Sequence, residues 1–184
     1  MERLNPSARR DQFGSKINRD HSPVLAYGIP WLIILFASLS PMLPIIAPVP
    51  ILPPLGYLFL LAWRVLRPGL LPMWAGLPLG FFDDLFSGQP LGSGILLFSV
   101  TMIALDLIEQ RFPWRGFWQD WGIATVFVSL YLVLTTLFSG AGLPLVQYPL
   151  ILPQLALSIL LFPVVAQIVS LLDRFRLTRV RKIG

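Results

Sequence analysis

The chain has 184 residues, of which 55% are hydrophobic and only 12% are charged, and its mean hydropathy is +0.74. An average soluble domain has about 25% charged residues, so this composition excludes an ordinary soluble globular fold. The absence of cysteine excludes a disulfide framework and a thiolate metal site. The net charge of +5 is spread over several short segments. It therefore indicates membrane topology and attraction to anionic headgroups, and no nucleic-acid-binding face.

The two ends of the chain are polar. Residues 1–22 carry five basic residues and His21, the only histidine, which as a lone imidazole indicates a solvated tail without a metal site. The first apolar run is too long for a cleavable signal peptide. We predict a disordered cytoplasmic tail over 1–22, a membrane domain over 23–173 and a basic cytoplasmic tail over 174–184.

The middle of the chain contains six apolar runs, each close to the ~17–25 residues that cross a bilayer. Backbone polar groups in lipid must bond within their own segment, and the alternation of a membrane barrel strand is missing. We therefore predict an all-α polytopic membrane protein with six transmembrane helices. The predicted spans are 24–43, 50–66, 70–86, 91–108, 121–138 and 150–172.

Basic residues fix the predicted orientation. All fourteen Lys and Arg residues lie in the two tails, in the second-to-third connection (Arg67, with Arg64 at the end of the second run counted in this connection) or in the fourth-to-fifth connection (Arg111 and Arg115). The other three connections have none. Because basic loops stay on the cytoplasmic side, this distribution predicts cytoplasmic termini and an even number of spans.

The third run carries the most unusual face of the sequence. Gly76, Gly80, Asp83 and Asp84 fall within about a third of a helical turn's circumference. A Gly-x-x-x-Gly pair allows close helix contact, and a carboxylate in the membrane must be buried in protein. Either one acid of the pair is protonated, or both accept backbone N–H bonds from the turn at 87–92.

Small and polar residues mark further faces. Asp106 lies near the cytoplasmic end of the fourth helix, where Arg111 or Arg115 is its expected ion-pair partner. One face of the fifth helix collects four small or polar residues, which we expect to pack in the bundle interior: Gly122, Thr125, Ser129 and Thr136.

Aromatic and proline residues predict local features. Trp114, Trp118 and Trp121 share one helical stripe and are predicted interfacial anchors, because tryptophan prefers the headgroup region. A partner-binding surface is the alternative. Pro78 and Pro163 should bend the third and sixth helices and free carbonyls that neighbouring groups must satisfy.

Catalytic signatures are missing from the sequence. It contains no Gly-x-Ser-x-Gly, His-Glu-x-x-His or Walker motif. The Asp83 and Asp84 pair has no third carboxylate at its predicted depth, whereas hard cations recruit several oxygen ligands. We predict a protein that is not an enzyme and that binds no cofactor or metal.

The region around the acidic pair resembles a known signature. The segments Pro72-Met-Trp, Gly80-Phe-Phe-Asp-Asp-Leu and Ser87-Gly-Gln-Pro-Leu-Gly92 resemble the signature region of the rod-shape-determining protein MreD family. In that family a glycine precedes an aspartate by four residues and a Gly-x-(Pro/Thr)-Leu-Gly turn follows. The matching positions here are Gly80, Asp84, Gly88, Pro90, Leu91 and Gly92.

The resemblance implies a scaffold in the bacterial inner membrane that supports lateral peptidoglycan synthesis and cell shape. The implied partners are MreC, the RodA glycosyltransferase, its penicillin-binding transpeptidase and, directly or indirectly, the MreB filament. The implied fold is similar to the substrate-binding subunits of energy-coupling-factor vitamin transporters, so a vitamin-uptake subunit is the alternative. The candidate structural or partner-binding residues are Gly76, Gly80, Asp83, Asp84, Gly88, Pro90, Leu91, Gly92 and Asp106.

Overall fold

The fold is helical apart from one very short strand pair. The computed structural model describes residues 19–21, 23–43, 52–112, 116–139, 151–176 and 179–181. Its α-helices are α1 (Pro23–Ser38), α2 (Leu55–Leu66), α3 (Gly76–Ser87), α4 (Ser93–Arg111), α5 (Phe117–Phe138) and α6 (Leu152–Arg176). Strands β1 (Arg19–His21) and β2 (Arg179–Arg181) pair antiparallel. The prediction of an all-helical protein is confirmed outside this ladder of three residues per strand.

Three helices are long and apolar enough to cross a membrane. They are α4, α5 and α6, with 19, 22 and 25 residues. At 1.5 Å per residue even the shortest reaches about 28 Å, close to the hydrocarbon thickness. Most residues of each helix stay unburied, and these exposed positions carry many large apolar side chains. This pattern is typical of a membrane protein whose helices face lipid.

The first three helices are shorter than the predicted spans. α1 has 16 residues, and α2 and α3 have 12 each, so α2 and α3 are only about 18 Å long. Prolines limit them: Pro54 directly precedes α2, and Pro72 has an extended backbone before the 3-10 turn Met73–Ala75 that leads into α3. Length and composition therefore support three spanning helices, whereas the sequence predicted six.

The short helix α2 lies at the centre of the bundle. Nine of its residues are buried, distributed around the whole helix, and α1, α4, α5 and α6 all pack against it. A helix that is apolar on every side belongs in a core. Because non-helical backbone is tolerated at membrane depth where protein surrounds it, a central helix can be shorter than the bilayer is thick.

The contacts of α2 and α4 show how these helices are oriented. The Tyr57 hydroxyl lies 2.8 Å from Thr101 Oγ1, and Arg64 Nη2 lies 2.7 Å from Asp106 Oδ1. Early residues of α2 thus meet the middle of α4, and late residues of α2 meet the last turns of α4. The two helices run in the same direction.

α6 is parallel to both, and short segments on either side of the six helices pair with each other. Gln154, at the start of α6, donates to the carbonyl of Leu52 just before α2, while Arg67 after α2 pairs with Asp173 near the end of α6. β1 precedes α1 and pairs with β2, which follows α6. We name this end of the molecule, where α2, α4 and α6 finish, the basic end, and the opposite end, with residues 88–92, the turn end.

Candidate functional site

The two glycines of α3 lie directly against α4. A Cβ atom on Gly80 would be 2.5 Å from the carbonyl oxygen of Gly94, and one on Gly76 would be 2.8 Å from the backbone nitrogen of Ser99. These neighbours are backbone atoms, which cannot rotate away as a side chain can. The hairpin of α3 and α4 therefore depends on bare glycine faces. Gly94, which the sequence analysis did not single out, completes the contact from the α4 side.

Asp84 caps the helix that follows its own. Its carboxylate accepts N–H bonds from Gly92 at 2.8 Å, Gly94 at 2.7 Å and Ile95 at 3.3 Å, and a bond from the Ser93 hydroxyl at 3.3 Å. The N-cap position of α4 is Gly92, which has no capping side chain. Asp84 thus supplies from α3 the acceptor that a helix N-terminus needs. Its negative charge also lies at the favourable end of the α4 dipole.

The turn between α3 and α4 requires glycine at two positions. Gly88 ends α3 with φ +69° and Gly92 begins α4 with φ +102°, both in the left-handed region that disfavours side chains. Between them, the carbonyl of Pro90 accepts bonds from the backbone N–H and the hydroxyl of Ser93. Leu91 is 73% exposed at the tip. The turn is thus a braced loop that presents one leucine at the turn end.

Asp83 is buried in the bundle, next to the stacked rings of Tyr131 and Tyr57. The Tyr131 hydroxyl donates to Asp83 Oδ2 at 3.4 Å, and the Tyr131 ring stacks on Tyr57 with centroids 4.1 Å apart. Phe98 packs edge-on against Tyr57. No cation lies within ion-pair distance of Asp83 or Asp84 in the part of the chain that the structure describes. The two adjacent acids therefore have different surroundings, one among side chains and one at a helix N-terminus.

Gly56 is a second close contact that the sequence analysis did not identify. A Cβ atom there would be 2.9 Å from Asp83 Oδ1 and would also collide with Ser38 Oγ. Gly56 thus lets α1, α2 and α3 meet at the acid. Neither Gly56 nor the two stacked tyrosines belongs to a recognisable sequence motif, and their contacts join residues that are far apart in the chain.

Asp106 pairs with an arginine from a different helix than expected. Arg64 is only 2% exposed; it reaches Asp106 Oδ1 at 2.7 Å and Glu109 Oε2 at 3.0 Å. The predicted partner of Asp106, Arg111 or Arg115, is therefore wrong, and Arg64 belongs to a helix and not to a connection. Arg64 lies in the last turn of α2, and its side chain contacts Asp106 and Glu109 of α4. The ion pair fastens the central helix at the basic end.

A second set of ion pairs, around the buried Asp173, joins the residue after α2 to α6. Asp173 is almost fully buried and pairs with Arg67 and, at 2.6 Å, with Arg176. The Arg176 guanidinium also lies 5.9 Å from the centroid of the Trp63 ring, a favourable cation–π distance. α6 continues through Arg176, so the predicted boundary of the membrane domain at residue 173 falls inside a helix.

The tryptophans of the fourth-to-fifth connection have different surroundings. Trp114 lies outside the described residues. Trp118 is 74% exposed at the start of α5, as a headgroup anchor would be. Trp121, one turn later, packs against Trp118 with ring centroids 5.7 Å apart. Its indole N–H donates to the carbonyl of Ile159 in α6 at 3.1 Å, so Trp121 also joins two helices.

Pro163 explains why the carbonyl of Ile159 is available. Proline has no N–H, so in α6 the carbonyl four residues earlier, that of Ile159, loses its usual partner. The indole of Trp121 replaces it. Pro78 behaves differently from the prediction: it lies in the first turn of α3, where a helical N–H has no intrahelical partner, so it breaks no hydrogen bond.

We expect Trp121→Phe to lower the free energy of unfolding by about 1–2 kcal/mol, since it leaves the Ile159 carbonyl without a donor. In a Pro163→Ala background residue 163 regains an N–H for that carbonyl. The cost of Trp121→Phe should then fall below about 0.5 kcal/mol. Melting curves of the four proteins in detergent measure this coupling. The same cost in both backgrounds would contradict the assignment.

The predicted polar face of α5 is not its buried face. Gly122 is exposed, and a Cβ atom on it would meet no atom within 4 Å. Thr125 and Ser129 bond to carbonyls of their own helix, those of Trp121 and Thr125. The side of α5 that is buried is instead mainly apolar and aromatic: Ala124, Phe127, Val128, Tyr131, Leu132 and Thr135.

The polar and glycine contacts of this site hold neighbouring helices together. Among the described residues no group of three or more His, Cys, Asp or Glu side chains could hold a metal ion. The polar groups that converge at the turn end bond to one another and to the first turn of α4. Comparisons with protein-family models, with curated proteins and with solved structures find no match to this chain.

Proposed function

We propose that this protein is a non-enzymatic scaffold of the MreD type in the bacterial inner membrane, which binds MreC and supports lateral peptidoglycan synthesis and cell shape. The observation that carries the proposal is the braced turn of α3 and α4. The Asp84 carboxylate fixes it, and Leu91 projects from its tip. A rigid turn with an exposed apolar side chain suits a partner surface, because little ordering is needed on binding.

The positions that carry the family resemblance support this proposal. Gly80 lies against α4, Asp84 caps α4, and Gly88 and Gly92 form the left-handed corners of the turn. These residues together form the contact and the turn between α3 and α4, although the resemblance itself is one of sequence alone. Their common role in the α3 to α4 contact is a physical reason for glycine and aspartate at these positions.

We also propose six membrane passes with both termini in the cytoplasm. The parallel course of α2, α4 and α6 and the pairing of β1 with β2 support it, because an even number of passes brings the chain ends to one side. Arg67 after α2, Arg111 at the end of α4 and Arg176 at the end of α6 lie at the basic end, which then faces the cytoplasm. The turn end faces outward, where MreC would bind.

The wider partners of the proposal are RodA, the elongation penicillin-binding transpeptidase and the MreB filament. In this arrangement the turn end serves MreC on the outer side. The basic end, where β2 pairs with β1, is the side from which a cytoplasmic filament would be reached, directly or through another protein.

Recovery of MreC with variants of the exposed leucines tests the proposal. Leu91→Ala should weaken retention of MreC about fivefold to tenfold, because truncating an interface residue that matters costs more than about 1 kcal/mol. Leu107→Ala is the matched control, since Leu107 is a 61% exposed leucine near the other end of α4. The measurement is quantitative co-purification of MreC from membranes. Equal retention by the two variants would count against the turn as its binding site.

Gly80→Leu and Asp84→Leu extend the same measurement. Both should reduce recovered MreC further than Leu91→Ala does, because they displace α4 and the whole turn. Insertion into the membrane is checked by immunoblotting of the membrane fraction. Undiminished recovery of MreC with correctly inserted variants would contradict the proposal.

The interior argues against the transporter alternative. A substrate-binding subunit needs a cavity with a few convergent polar groups. At the level of Asp83 the space is filled by the stacked rings of Tyr57 and Tyr131 and by Phe98. A vitamin-sized molecule retained through purification would favour the transporter instead.

A further inference from the structure

α4 and α5 separate near the basic end and leave a groove between them. Its volume is about 450 Å³. Both flanking helices are candidate membrane spans. Gly122 and Val126 are exposed, so the groove opens on the outer surface of the bundle. Its walls are largely apolar and include Ile108, Phe112, Gly122, Ile123, Val126 and Phe127.

Residue 122 contributes no side chain to the space of the groove. A Cβ atom on Gly122 would have no neighbour within 4 Å, in contrast to Gly76 and Gly80, whose surroundings are full. This glycine therefore serves neither close helix packing nor a turn. A glycine inside an α-helix lowers helix stability by up to about 1 kcal/mol relative to alanine. Its presence at this open position is explained if the space beside it is used for binding.

The end of α4 and the start of α5, which border the groove in sequence, combine an exposed arginine with exposed aromatic rings. Arg111 is exposed at the end of α4 and directly precedes Phe112 in the groove wall. Phe117 and Trp118 are exposed at the start of α5. Basic and aromatic side chains together are typical of the headgroup level of a bilayer. The groove thus begins at headgroup level and continues between two helices that face hydrocarbon.

The size of the groove suits a narrow occupant. A transmembrane helix about 10 Å across and about 30 Å long displaces more than ~2,000 Å³. The groove offers about 450 Å³, which is too little for a helix and is of the size of one extended hydrocarbon chain. Arg111, which precedes the lining residue Phe112, favours an anionic polar end for this occupant.

We propose that this groove binds one anionic phospholipid, with an acyl chain between α4 and α5 and its phosphate at Arg111. The inference depends on membrane insertion but not on the proposed role in cell elongation. It assigns a function to Gly122, which keeps the groove open, and to Arg111, which selects the headgroup.

Lipid titration followed by native mass spectrometry tests the proposal. The full-length protein in detergent is titrated with phosphatidylglycerol or phosphatidylcholine, and the bound fraction is measured. Gly122→Phe fills the groove and should lower the bound fraction of phosphatidylglycerol about tenfold, equivalent to about 1.4 kcal/mol. Gly28→Phe is the matched control, because Gly28 in α1 is equally free of neighbours and lies outside the groove walls. Should Gly122→Phe lower the melting temperature, the smaller Gly122→Leu must show the same selective loss.

The headgroup assignment has its own test. Arg111→Gln should reduce the preference for phosphatidylglycerol over phosphatidylcholine about fivefold, the effect of one basic residue near the surface. Unchanged phosphatidylglycerol binding by both Gly122 variants would overturn the site. Equal binding of the two lipids by the unmodified protein would overturn the anionic occupant. A photo-cross-linker at residue 122 that captures a protein in native membranes, and no lipid, would overturn the proposal as well.

Discussion

Asp84→Leu is expected to lower the free energy of unfolding by about 3 kcal/mol or more. The substitution removes the acceptor of the backbone N–H groups of Gly92, Gly94 and Ile95, and each buried donor left without a partner costs about 1–3 kcal/mol. For a chain of this size, that loss corresponds to a melting temperature lower by roughly 6–12 °C in detergent.

Asp84→Asn separates hydrogen bonding from charge. Asparagine keeps one acceptor oxygen, so it can retain the bond from Gly92 or from Gly94, and we expect a loss of only about 1–2 kcal/mol. Leu85→Ala, at the exposed neighbouring position of α3, is the control and should change stability by less than about 0.5 kcal/mol. Equal losses for the Asn and Leu variants would show that a single acceptor oxygen does not stabilise the turn.

Gly80→Ala should destabilise the protein by about 1–3 kcal/mol, although it adds a single methyl group. That methyl would lie 2.5 Å from the Gly94 carbonyl oxygen and 2.7 Å from the Ile95 Cα. Both atoms belong to the α4 backbone, so relief requires the two helices to separate. Separation in turn lengthens the bonds that Asp84 makes to the first turn of α4. Thermal unfolding of the purified variants in detergent is the measurement.

Gly28→Ala is the matched control for Gly80→Ala. Gly28 is also a helical glycine, but a Cβ atom there would meet nothing within 4 Å. Alanine should therefore be neutral or should stabilise α1 by up to about 1 kcal/mol through its helix propensity. If both variants lost the same stability, the close contact of α3 with α4 would not explain the effect at Gly80.

Local patterns in the sequence were sufficient to predict the α3 to α4 hairpin. The spacing of Gly76 and Gly80 indicated a contact face, and the adjacent acids indicated either one protonated acid or backbone donors to both. Asp84 has such backbone donors, whereas Asp83 accepts a bond from the Tyr131 hydroxyl. The glycine contact and the bonds to Asp84 depend on residues within about twenty positions of one another. The long helices α4, α5 and α6 were predictable for a related reason, because each run is long and apolar by itself.

The central position of α2 was not predictable from the same patterns. Its run was taken for an ordinary membrane span, and Arg64 was counted as a residue of a connection. Whether a helix lies at the centre or the periphery depends on which other helices surround it. A continuous apolar run contains no information on that choice. The partners of Arg64 are more than forty residues away in sequence, beyond any spacing rule.

The polar side of α5 shows a different limit. Threonine and serine hydroxyls can bond to carbonyls of their own helix, as Thr125 and Ser129 do, so they need no neighbour across an interface. A polar stripe on a membrane helix consequently does not identify the packed side. Pro163 predicted that a carbonyl of α6 would need a donor from a neighbouring group. That this donor is the indole of Trp121 could be identified only from the fold.

The enclosed position of α2 constrains how the chain is made. The ribosome completes Arg64 before Asp106, which follows 42 residues later, so during synthesis the arginine has no counterion from α4. A bare guanidinium is costly in hydrocarbon. We therefore expect the final packing of α2 around Arg64 to form only after α4 has been synthesised.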